Sequence, residues 1–165
     1  MPKTYEPVAT TTLASDQATV TFTSISGSFT DLILVASIRT VVTNAAIYCQ
    51  FNGDTGTNYS NTQLLGNGSI ATSGRQTNVS QLRIGNFTAS GTNNFSPVIA
   101  HFQNYSNTVT NKTVISRAGS ADGGLVAEAC LWRNTAAITS ILVGEESGGN
   151  MRTGSILTLY GIKAA

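Results

Sequence analysis

The sequence predicts an all-β fold: a two-sheet antiparallel sandwich, jelly-roll-like, with an extended N-terminal arm. Three observations predict it. Apolar residues recur with period two in short runs, the spacing of strands buried on one face. Gly, Asn, Asp and Ser bound nearly every run, and these residues tolerate the backbone of tight turns. Nowhere does the i, i+3, i+4, i+7 spacing of an amphipathic helix last three turns without a β-branched or Gly interruption.

The strands follow in order. "ATVTFTSI" (18–25) sets Val20 and Phe22 on one face against Thr19, Thr21 and Thr23 on the other. "DLILVASIR" (31–39) is apolar on both faces, as a central strand is. "AAIYCQF" (45–51) turns Ala45, Ile47, Cys49 and Phe51 inward, and "VSQLRIG" (79–85) is a weaker candidate. "SPVIAHFQ" (96–103) carries Val98, Ala100 and Phe102 on one face and His101 on the other. Pro97 marks a strand start or an edge, because it donates nothing to a ladder. "KTVISRA" (112–118), "GLVAEACLW" (124–132), "AITSILVG" (137–144) and "GSILTLYGI" (154–162) complete the set. Eight or so strands at this spacing fit a sandwich of two sheets, with a small barrel as the runner-up.

Residues 1–15 differ from the rest. Pro2 and Pro7 hold the chain extended, and Tyr5, Val8 and Leu13 offer apolar contacts. The expected division is an arm over 1–15 and one β-sandwich domain over 16–165. The arm's functional reading is contact with a neighbouring subunit; the plainer one is a loose tail.

Composition narrows the function classes. A chain of 165 residues suffices for one domain with its own core. Only 10% of residues are charged and the formal net charge is +1, so no electrostatic footprint for nucleic acid stands out. No apolar run reaches the roughly 20 residues that span a bilayer, and "MPKTYEPVATTTLAS" lacks the apolar centre of a signal peptide. Synthesis in a cytoplasm is the expectation, without a membrane partner.

The chemistry-bearing residues are few. "FNGDTGTNYS" (51–60) spaces Asn52 and Asp54 like calcium ligands, but one carboxylate is too few, so it reads as a turn after a strand. His101 is the single His, with no nucleophile elbow to nominate a Ser partner. Cys49 and Cys130 lie in separate strand runs and read as buried thiols rather than metal ligands; their pairing is left open. Glu128 stands mid-strand, opposite the apolar face, where an Arg across the ladder is the usual partner. A glycan-cleaving site would need it to meet a second carboxyl such as Asp54. Tyr48, Tyr59, Tyr105, Trp132 and Tyr160 are the aromatic candidates for a sugar platform, against the commoner role as core. No catalytic, metal or cofactor set emerges.

The segments "YEPVATTTL", "FTDLILVASIR", "FNGDTGTNYS", "GNGSIATSG", "NKTVISRAG", "LWRNTAAITSI" and "GSILTLYGIKA" together resemble a kind of small tailed-bacteriophage virion protein. Such proteins occur as head decoration, or cement, proteins and as end domains of tail-fibre-like proteins. The resemblance implies a jelly-roll-like sandwich, commonly a homotrimer, on the capsid surface of a virion assembled in a bacterial host. It implies a non-enzymatic role, binding between subunits of the major capsid protein to stabilise the shell. It brings no catalytic or ligand residues. Pro2, Tyr5, Pro7, Val8 and Leu13 are the expected contact residues of the arm. The alternative is a receptor-binding fibre domain that recognises host-surface glycans; the chain's length without a shaft sequence favours decoration.

Overall fold

A computed structural model describes residues 4–90 and 93–163. Twelve antiparallel strands form two sheets, and among the described residues none is helical and no helix is long and apolar enough to cross a membrane. The strands are β1 (Tyr5–Thr12), β2 (Thr19–Phe22), β3 (Asp31–Ile38), β4 (Ile47–Phe51), β5 (Tyr59–Gly66) and β6 (Ala71–Val79). They continue with β7 (Leu82–Gly85), β8 (Ser96–Gln103), β9 (Lys112–Ser120), β10 (Gly124–Trp132), β11 (Ile141–Glu145) and β12 (Ile156–Ile162). The large sheet has the order β1-β12-β3-β8-β9-β10-β5-β6, and the small one β2-β11-β4-β7.

Connectivity follows a simple rule. With the β5–β6 and β9–β10 hairpins set aside, the remaining eight strands pair from the outside in. β1 pairs with β12, β2 with β11, β3 with β8 and β4 with β7. Successive pairs alternate between the two sheets. The two hairpins then widen the large sheet on its β8 side, and β7 packs across their strands.

The core is what the alternation predicts. Leu32, Leu34 and Ala36 of β3, Val98, Ala100 and Phe102 of β8, and Ile47, Cys49 and Phe51 of β4 are buried between the sheets. Phe51 packs edge-on against Phe102 and Trp132, with Tyr59 stacked on Trp132. The small sheet covers less than the large one, so β6 is exposed or half-exposed along its whole length. Its polar "ATSGRQTNV" has no apolar face to betray a strand, and sequence periodicity missed it together with β5.

The N-terminal segment is corrected. Residues 5–12 are not a separate arm but the edge strand of the large sheet, laddered to β12 from Tyr5↔Ile162 to Thr12↔Ile156. The physical reason is that β12 has an edge of unpaired N–H and C=O groups, which an extended segment satisfies. Pro7 is tolerated there because an edge strand has a solvent side, and the ladder shifts register between Pro7 and Ala9. Val8 and Ala9 pack on the core, Leu13 is buried, and Tyr5 stays exposed. Residues 13–17 are tied down as well, since Leu13 and Gln17 exchange backbone hydrogen bonds with Met151, Gly154 and Ser155. Pro2 lies outside the described residues.

Candidate functional site

The outer face of the large sheet is the most unusual surface of the molecule. Register aligns Tyr160, Ile33, His101, Ile115, Ala129, Thr62 and Arg75 in one row across seven strands. Next to it run Thr158, Val35, Ile99, Arg117, Ala127, Leu64 and Ser73. An antiparallel sheet with one solvated face normally alternates apolar-in, polar-out. Here Val35, Leu64, Ile115, Leu125 and Ile156 point outward and are 41–65% exposed. Eight strands at about 4.8 Å spacing and about 26 Å length present roughly 900 Å² of face, near the roughly 800 Å² per partner of a standard protein interface.

Charge is sparse on that face. His101 does stand outward, as the sequence indicated, and it has an acidic partner that adjacency in sequence did not reveal. Asp31 Oδ2 lies 2.9 Å from His101 Nε2, and Asp31 Oδ1 accepts the Asn104 N–H at 2.7 Å. β3 and β8 are neighbours, so a residue 70 positions away becomes adjacent. At one end of the face, between the β9–β10 hairpin and residues 93–97, lies a groove of about 1000 Å³. Phe95, Ile99 and Leu125 supply its apolar wall, and Arg117, Asn94 and Asp122 its polar groups.

The "FNGDTGTNYS" stretch is a turn, as its residues indicate. Asn52 and Gly53 both adopt positive φ, +53° and +70°. Asp54 then holds the loop: it accepts from Trp132 Nε1 at 2.7 Å, Gly56 N at 2.8 Å and Asn58 Nδ2 at 3.0 Å. Burial works to raise its carboxyl, but those hydrogen bonds prevail and hold it below the usual carboxylate range. Its oxygens are thus committed to the protein. Asn52 ties the same turn to residues 137–140 through its side-chain amide.

Glu128 is the second correction. It points inward with Val126, Cys130 and Trp132, and is buried. Asn61 Nδ2 donates to Glu128 Oε2 at 2.9 Å. Burial pushes the carboxyl up to about 7, opposed by Arg83 and Asn61 and reinforced by the Glu146 charge. Arg83 Nε donates to Glu146 Oε2 at 2.8 Å, so the guanidinium serves two carboxylates. The charges bearing on Glu128 therefore come from Arg83 and Glu146, while the Asp54 carboxylate is engaged by Trp132, Asn58 and Gly56. Lys112 is a further buried charge missed in the sequence; its ammonium donates to the carbonyls of Thr110 and Thr135.

Cys49 and Cys130 are free buried thiols. Among the described residues no three His, Cys, Asp or Glu side chains converge as a metal site. Of the aromatic candidates, Tyr59, Tyr105 and Trp132 are core residues; Tyr48 and Tyr160 remain half-buried. Of the expected contact residues, Tyr5 and Pro7 share the outer face with Tyr160 and Ile162, whereas Val8 and Leu13 pack toward the interior. Compared with known protein families, curated proteins and solved structures, the chain matches none.

Proposed function

We propose that the protein is a non-enzymatic structural component of a tailed-phage virion, a head decoration protein. It sits as a homotrimer on the capsid surface and clamps subunits of the major capsid protein. The observation that carries this reading is the broad outer face of the large sheet, where five large apolar side chains stand exposed and the charged groups are Arg75, Arg117 and the Asp31–His101 pair. Half-buried Ile33 and Ile99 lie beside Val35 on the same face, and apolar side chains that cluster on a surface mark interaction sites. Few charges on the face mean few ions to desolvate when it is covered.

The strand order supports the class. Pairing of β1 with β12, β2 with β11, β3 with β8 and β4 with β7 favours a jelly-roll reading of the sandwich, an architecture used in viral capsid and lectin domains. Fold analogy alone assigns no function. The segment resemblance to small virion proteins supplies the rest.

A second reading has its own observation. The groove of about 1000 Å³ beside Phe95, Arg117 and Asp122 has the size of a ligand cleft, which host-glycan recognition by a fibre domain would use. Gold-labelled antibodies against the chain, viewed on purified virions, separate the two. Label spread over the heads is the expected result. Label confined to the tail tip overturns decoration and turns attention to the groove.

A further inference from the structure

The interior under Arg83 carries a second, separate signal, independent of the virion reading. Register places Ser116 of β9, Glu128 of β10 and Gln63 of β5 side by side on the inner face, with Asn61 one step diagonal to Glu128. Side chains directly opposite in a ladder have Cβ atoms about 5 Å apart. Four oxygens of this row are sealed from solvent and meet no hydrogen-bond donor of the protein: Ser116 Oγ, Glu128 Oε1, Gln63 Oε1 and Asn61 Oδ1. Ser116, Glu128 and Asn61 are each 2% exposed. Buried polar atoms are nearly always satisfied, so orphans gathered on adjacent strands point to one shared ligand.

The donor set specifies the ligand's chemistry. It is all oxygen: one carboxylate, two amide carbonyls and a hydroxyl, which suits a hard cation and not zinc or copper. Calcium prefers six to eight oxygens with several carboxylates, and only one carboxylate is present. Charge closes the argument. Above the value of about 7 to which burial pushes it, Glu128 is ionised while Arg83 is hydrogen-bonded to Glu146, and a single positive charge balances the Glu128 carboxylate. We propose that Glu128, Ser116, Gln63 and Asn61 bind a small monovalent cation of the sodium type. The Arg83–Glu146 pair, with side chains 17% and 26% exposed, is the nearest charged group on the solvent side that bears on Glu128.

Thermal melting of the full chain in sodium chloride and in choline chloride at equal ionic strength, at about pH 8.5, tests this. The midpoint is expected to rise saturably with sodium, by roughly 5–10 °C at a hundredfold excess over the dissociation constant. Glu128→Gln is expected to melt at one temperature in both salts. Crystals soaked in thallium(I), a monovalent stand-in, are expected to show an anomalous peak between Glu128 and Ser116. That experiment on the unsubstituted chain decides the matter even where the variant fails to fold. Equal melting in both salts together with no thallium peak overturns the proposal and leaves water or a proton as the partner of these oxygens.

Discussion

Asp54 shows how much one side chain can hold. Its carboxylate gathers donors from Trp132, Asn58 and the Gly56 backbone, joining the end of β10 to the turn after β4. Truncating it to Ala leaves the buried Trp132 indole N–H without its acceptor, at a cost of about 1–3 kcal/mol. Asp54→Asn keeps one acceptor and is expected to lose less. The pH dependence has a definite sign. A carboxyl held low in the folded chain contributes stability above its unfolded value near 3.8, and that contribution disappears as the pH falls through the folded value. Acid titration followed by Trp132 fluorescence, the chain's single Trp, is expected to show a transition in the wild type that Asp54→Asn weakens. An unchanged acid transition in that variant removes Asp54 from the account. The sequence displayed Asp54 as a turn residue, because Asn-Gly-Asp is local chemistry. It did not display Trp132 as the partner, since 78 positions separate the two.

At the scale of elements, legibility followed amphipathicity. β3, β8, β9, β10 and β12 alternate or run apolar against the core, and their periodicity located them. β5 and β6 form the hairpin at the rim of the small sheet's cover; β5 is buried only at Tyr59 and Asn61 and β6 is exposed nearly throughout, so burial left little pattern to read. The sequence pattern sets Glu128 on the wrong face for a related reason. Ala127 and Ala129 look apolar but face outward, while Val126, Cys130 and Trp132 share the inward side with the acid. β1 was visible as extended chain, yet nothing local says which edge an extended chain will join. Its ladder with β12 changes what truncation does. Removal of residues 1–13 takes away the edge strand and the buried Leu13, and exposes the edge of β12. Loss of the Leu13 side chain alone is worth about 2–5 kcal/mol. The truncated chain is therefore expected to melt well below the full chain and to aggregate, in a calorimetric scan run at several concentrations. Melting unchanged by the deletion would show that β1 is dispensable after all.

For the whole molecule, the two faces of the large sheet obey different rules. The inner face is a packed core, and its substitutions act on stability. The outer face leaves Val35 and Ile115 in solvent, so charge placed there meets little resistance from the fold. Both side chains point out from neighbouring rows near the middle of the sheet, Val35 on β3 and Ile115 on β9. Val35→Lys with Ile115→Lys is expected to shift stability by within about 0.5 kcal/mol per site, as exposed positions generally do. Association responds otherwise, because two added ammonium groups must be desolvated if the face is covered. Co-sedimentation with undecorated phage shells is then expected to fall at least tenfold, while the midpoint of melting barely moves. Sedimentation of the free protein separates the two ways of covering the face. A smaller assembly in the double variant assigns the face to contacts between copies. An unchanged assembly with lost shell binding assigns it to the shell. Full shell binding and an unchanged assembly would mean that the exposed apolar face has no partner, and the decoration reading would lose the observation that carries it.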